Sequence, residues 1–173
     1  MFRKLNLIPA LCAFALAGTL QAQTTTIPEG SKPVARADVP VSARMGMHVS
    51  AMVLEEIKKF VPDDDKRGAL FLRMSILAKQ EAAAASCAAF ELDQPRMVSV
   101  MMRTLRVLSD GTQSDLATAH LNRALRHYNT LLGGELAQFA YEPTSYCNAA
   151  GDFYNDLSEY PTEDSMLVLK LAT

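Results

Sequence analysis

The chain has 173 residues, 17 basic and 19 acidic side chains, and a formal net charge of −2. That length is one domain's worth, enough for a sizeable core and too short for an array of domains. The near balance of charge argues against a general nucleic-acid binder, which carries a strongly basic surface.

Arg3 and Lys4 precede an apolar run from Leu5 to Leu20, and small residues continue to Ala22. This is the layout of a secretory signal peptide cut after Ala22, so residues 1–22 are expected to be removed. The run is about 16 residues long and contains Pro9, short for a bilayer span, which needs about 20. No stable membrane insertion is therefore expected once the signal is cut, and the destination is a bacterial periplasm or the medium. Leu11 before Cys12 is bulky where a lipoprotein signal carries a small residue, so Cys12 leaves with the signal. The mature charge becomes 15 minus 19, or −4.

Residues 23–40 hold Pro28, Pro33 and Pro40 among Thr and Gly, with no apolar period. They are expected to form a flexible linker ahead of a helical domain over 41–173. A first helix is predicted from Val41 to Phe60, with Met45, Val49, Met52, Val53, Ile57 and Phe60 facing inward at 3.6-residue spacing. Glu55 and Lys59 are expected to pair across one turn of its outer face. Asp63, Asp64 and Asp65 then read as the capped start of a second helix, where carboxylates meet free N–H groups and the positive dipole end. An EF-hand would need alternating acids, a Gly and a distant Glu, so a calcium loop is not expected. This helix continues through Leu70, Met74, Leu77 and the small residues of AAAASCAA.

A third helix is predicted from Asp93–Pro95, with a stripe of Val98, Met101, Leu105 and Leu108, stopped by Asp110–Gly111. Thr112 and Asp115 resemble a capping box for a fourth, which carries Ala117, Leu121, Ala124, Leu125, Tyr128 and Leu132. Gly133–Gly134 is expected to end or kink it. Pro143 opens a fifth helix through Cys147, Phe153 and Leu157. Pro161 breaks the chain, Thr162 caps a last segment, and the spacing in residues 165–172 fits helix and strand equally. No strand alternation is evident before that. The expected fold is all-α: a compact bundle of about five helices with a disordered N-terminal tail.

Cys87 and Cys147 are an even pair in an exported chain, outside any CxxC pattern, and are expected to form a structural disulfide. MGMHVSAM, residues 45–52, has the soft donors of a copper site. On a helix, however, Met45 and Met47 lie about 200° apart, and Met45 and Met52 about 10 Å apart. The set Met45, His48 and Met52 thus needs ligands from elsewhere, and core packing is the simpler reading. Ser86, Ser99 and Ser109 sit in no nucleophile motif, and no phosphate-binding loop occurs. Glu81 falls beside Leu77 and Ala85, where burial would raise its pKa toward that of a general acid.

Charge is unevenly distributed. Residues 96–127 hold five Arg, no Lys and two acids, whereas from Glu135 to the end there are seven acids and one Lys. HLNRALRH places His120, Arg123 and His127 on one side, and Arg is suited to carboxylate recognition. Four of the five Tyr fall in the acidic C-terminal part. The leading expectation is a non-enzymatic domain, of inhibitor, immunity or adaptor type, without a cofactor. It would bind an unknown protein partner through Tyr141, Tyr146, Tyr154 and Tyr160, through Arg123 and Arg126, or through both sets. The alternatives are copper handling at Met45, His48 and Met52, and a carboxylate hydrolase.

Overall fold

Asp63 shows how the sequence starts its helices. Its side chain accepts from the Lys66 N–H at 2.9 Å, and Asp64 and Asp65 fill the first turn behind it. Asp93 does the same with the Arg96 N–H at 3.0 Å, and Pro95 and Pro143 occupy early helical positions where no N–H is needed. The computed structural model describes residues 40–109, 114–159 and 165–173. Five helices result: α1 (Val41–Lys58), α2 (Asp64–Ser86), α3 (Gln94–Leu105), α4 (Ser114–Tyr141) and α5 (Pro143–Ser158). A 3₁₀ turn, Arg106–Leu108, follows α3. The signal and linker assignments, the Asp110–Gly111 stop, the Thr112 cap and the Pro161–Thr162 break lie outside the described residues.

The fold is all-α, with one small addition. Strand β1 (Phe90–Leu92) pairs antiparallel with β2 (Leu169–Leu171), Glu91 opposite Lys170 in an ion pair of 3.1 Å. Three residues per strand are too few to show alternation in a sequence, and a two-stranded ladder is marginal alone. It is held from beneath by Gln80, which is fully buried in α2. The Gln80 amide donates to the Met166 carbonyl at 2.8 Å and the Ile76 carbonyl at 3.3 Å. Its oxygen accepts from the Val168 and Leu169 N–H groups at 2.7 and 3.2 Å. All four of its hydrogen-bonding positions are used. Arg96 adds bonds to the Leu167 and Ser165 carbonyls.

Two apolar clusters make the core. The larger joins Val53, Ile57, Leu70, Met74, Leu77, Val100, Ala124 and Val168; the smaller joins Ala82, Ala83, Phe90, Tyr146, Ala150 and Leu169 around Cys87. Ala82 and Ala83 are the small residues that admit α5. Cys87, the residue capping α2, is bonded to Cys147 in the early turns of α5, with the two Cα atoms 5.7 Å apart.

Several expectations need correction. Gly133 and Gly134 neither end nor break α4, which runs on to Tyr141. A Cβ on Gly134 would stand 3.1 Å from Val49 Cγ1, so α1 crosses α4 closely at this glycine and a larger residue would press on Val49. The buried stripe of α3 is Met97, Val100, Thr104 and Leu105, and Val98 is exposed. The stripe turns because α3 packs on α2 and meets α4 chiefly through the 3₁₀ turn. On α1, Met52 is 47% exposed rather than inward, because Val53 and Ile57 take the core positions. Lys59 pairs with Glu56, not Glu55, across three residues.

Candidate functional site

Polar side chains in this molecule divide into those that find a partner inside the fold and those that do not. Tyr128 on α4 donates its hydroxyl to the Glu81 carboxylate on α2. Tyr146 on α5 donates to Glu135 Oε2 at 3.0 Å, and its hydroxyl lies 3.5 Å from the Lys79 carbonyl. Burial, reinforced by the neighbouring carboxylates, pushes both tyrosine hydroxyls well above the usual phenol range. These two pairs tie α2 to α4 and α4 to α5. Glu81, the acid singled out by sequence, is thus a structural acceptor.

The four tyrosines do not form one exposed surface. Tyr146 is buried, and Tyr154 packs its ring on Phe90 at 5.6 Å. Tyr160 lies outside the described residues. Tyr141, 61% exposed, is the member displayed. The reason is amphipathic: a Tyr at a helix contact buries its ring and passes its hydroxyl to a nearby acceptor.

The copper set fares similarly. Met45 is half-buried, while His48 and Met52 are exposed on α1. Among the described residues no group of three or more His, Cys, Asp or Glu is arranged to hold a metal ion.

A small recess of about 230 Å³ lies between the start of α1, α4 and α5, lined in part by Lys79, Glu135, Glu142 and Tyr146. Burial raises the Glu135 pKa, opposed by the Tyr146 hydrogen bond and by Lys79. Lys79 in turn sits over the Phe153 ring, 4.6 Å from its centre. Glu135 is thus a half-buried carboxyl whose burial favours the protonated form, although Tyr146 already occupies one of its oxygens.

Arg123 and Arg126 have a different setting. Both are exposed on α4 and, among the described residues, neither guanidinium has a hydrogen-bond or carboxylate partner; the Arg126 carbonyl accepts from the Thr130 hydroxyl. They line a groove of about 480 Å³ with Glu56, Lys59, Phe60, His127 and Thr130. The groove lies where α1 ends against the middle of α4. Phe60 is fixed there by the turn that buries Phe60 and Val61. His127 stacks on the Phe60 ring at 5.9 Å and 11°, and His120 lies against the same ring at 5.5 Å. Lys59 holds Glu56, and this hydrogen bond lowers the Glu56 pKa. The His127 pKa is lowered chiefly by burial. Glu56 opposes this, while Arg126, Lys59 and Arg123 add to it. The outcome is a neutral imidazole on an aromatic floor, flanked by three cations and one acid.

The sequence placed Arg123 and His127 on one face of α4. It did not reveal Phe60, Glu56 or Lys59, which arrive from α1 about 65 residues away. Among the described residues, no acid of the C-terminal part pairs with these two arginines. Glu135 and Glu142 face the Tyr146 recess instead. No helix among the described residues is long and apolar enough to cross a membrane. No protein-family model, curated protein or solved structure matches this chain, so its chemistry rests on its own residues.

Proposed function

We propose that the chain is an exported, non-enzymatic binding domain that engages an acidic segment of a protein partner in the groove between α1 and α4. The observation carrying this reading is Arg123 and Arg126, both exposed and unpaired beside the Phe60–His127 stack. A guanidinium can grip a carboxylate with two parallel hydrogen bonds, and a partly desolvated aromatic wall strengthens such contacts. Exposed guanidinium groups are satisfied by water and add little to stability, so both remain available to a carboxylate brought by a partner. Export is supported by the leader-like residues 1–22 and by the Cys87–Cys147 disulfide, which belongs to an oxidising compartment.

Affinity capture from periplasmic extract tests this with two baits, the wild-type chain and Arg123→Glu/Arg126→Glu. A partner retained by the wild type, lost from the double variant and released by salt near 0.5 M supports the groove. Salt should act because exposed charge pairs are screened within a few ångströms at such concentrations. A partner retained equally by both baits contradicts it.

A further inference from the structure

A further concavity lies between the end of α3 and the start of α4, distinct from the cationic groove and from the Tyr146 recess. It is about 430 Å³ and is bounded by Met102, Leu105, Arg106 and Leu108 on one side and Ala117 and Leu121 on the other. That volume falls within the range of small-ligand sites. Its floor is fixed, because Leu105 and Leu108 are core residues. Its wall is adaptable, because Met102 is 66% exposed and thioether side chains reshape easily. Ala117 is a small residue where a larger one would fill the space.

The polar side chains at this recess are the Arg106 guanidinium and the hydroxyls of Ser109, Ser114 and Thr118. Ser109 and Thr118 line it, but each donates its hydroxyl proton to its own helix, to the Arg106 and Ser114 carbonyls at 2.9 Å. Arg106 is therefore the strong donor. It is exposed, and no carboxylate among the described residues pairs with it or lines the recess. From Gln94 to Leu108 the chain carries three arginines and no acid. The recess spans about two turns of α4, roughly 11 Å. That is too short for an amphipathic partner helix, which needs several turns of groove, and too apolar for a phosphate-rich ligand.

We infer that this recess binds a single-chain amphiphilic carboxylate, the alkyl chain lying against Leu105, Leu108 and Leu121 and the carboxylate on Arg106. The site is independent of the acidic-segment reading, whose residues lie elsewhere on α4. The test titrates the full mature chain calorimetrically with octanoate, octan-1-ol and octylammonium. Octanoate should bind at least tenfold more tightly than the other two. Arg106→Gln, a surface change that leaves the core intact, should reduce octanoate to the level of octan-1-ol. Ala117→Phe should abolish binding of all three, and Arg123→Glu/Arg126→Glu should change nothing. Equal affinity for octylammonium, or octanoate binding indifferent to Arg106→Gln, would overturn the inference. So would capture of the protein by anionic phosphatidylglycerol vesicles without octanoate binding.

Discussion

Two pairs of polar side chains, one on the inward face of α2 and one on the outward face of α4, meet opposite fates. Gln80 and Glu81 on α2 are bonded within the fold, the first to the C-terminal strand and the second to Tyr128. Arg123 and Arg126 on α4 are exposed, and no acid among the described residues pairs with them. A buried polar group must find a partner, because leaving it bare costs about 1–3 kcal/mol, whereas an exposed cation is satisfied by water. Partnered groups therefore report architecture, and unpartnered groups clustered on an apolar floor report what the surface can meet. The same rule separates Glu135 and Tyr146 from the groove beside Phe60.

The comparison can be broken at its structural side first. Cys87→Ala/Cys147→Ala should lower stability by about 4 kcal/mol, since the bond closes a loop spanning 60 residues. Chemical denaturation with and without a reductant reads this directly. Gln80→Leu comes next, at roughly 3 kcal/mol, because it strands the Val168 and Leu169 N–H groups and the Met166 carbonyl. Hydrogen exchange should then show the last residues opening ahead of the helices. Tyr128→Phe should cost about 1 kcal/mol, the net value of one hydrogen bond, with Glu81 left partly unsatisfied.

A smaller effect sharpens the other side. The folded-state pKa of His127 is lowered, so the stability that its neutral form contributes is present above its ordinary value of 6.5 and is lost as pH falls through the lower folded value. The groups facing it are Glu56 and Lys59 from the α1 end and Arg123 and Arg126 from α4. Melting curves from pH 8 to pH 5 should therefore fall less steeply for His127→Gln than for the wild type. Over the same range an acidic partner should bind more tightly to the wild type, because protonation adds a cation to the groove.

How far these regions were legible in the sequence follows from the range of the interactions. Asp63, Asp93 and Pro143 are local signals, and each starts the helix that it marks. Cys87 and Cys147 needed only their number and compartment. The helix end expected at Gly133–Gly134 did not occur, and the neighbour that Gly134 meets, Val49, lies 85 residues earlier. Gln80 looked like a polar interruption of an alanine-rich helix. Its partners lie 86 to 89 residues away on a strand too short to announce itself. The stripe of α3 depended on which neighbour it faced, and periodicity alone fixes a stripe's spacing more firmly than its direction. On α4, spacing found Arg123 and His127 but not the aromatic floor, which belongs to the turn after α1.

The central claim is that the unpaired arginines of α4 serve binding and not folding. The most direct measurement compares Arg123→Glu/Arg126→Glu with the wild type for both melting temperature and partner capture from periplasmic extract. Surface changes away from buried contacts shift stability by no more than about 0.5 kcal/mol each, so the two melting curves should nearly coincide while capture is lost. A variant that melts far earlier, or that melts normally and still retains the same partner, would contradict the account.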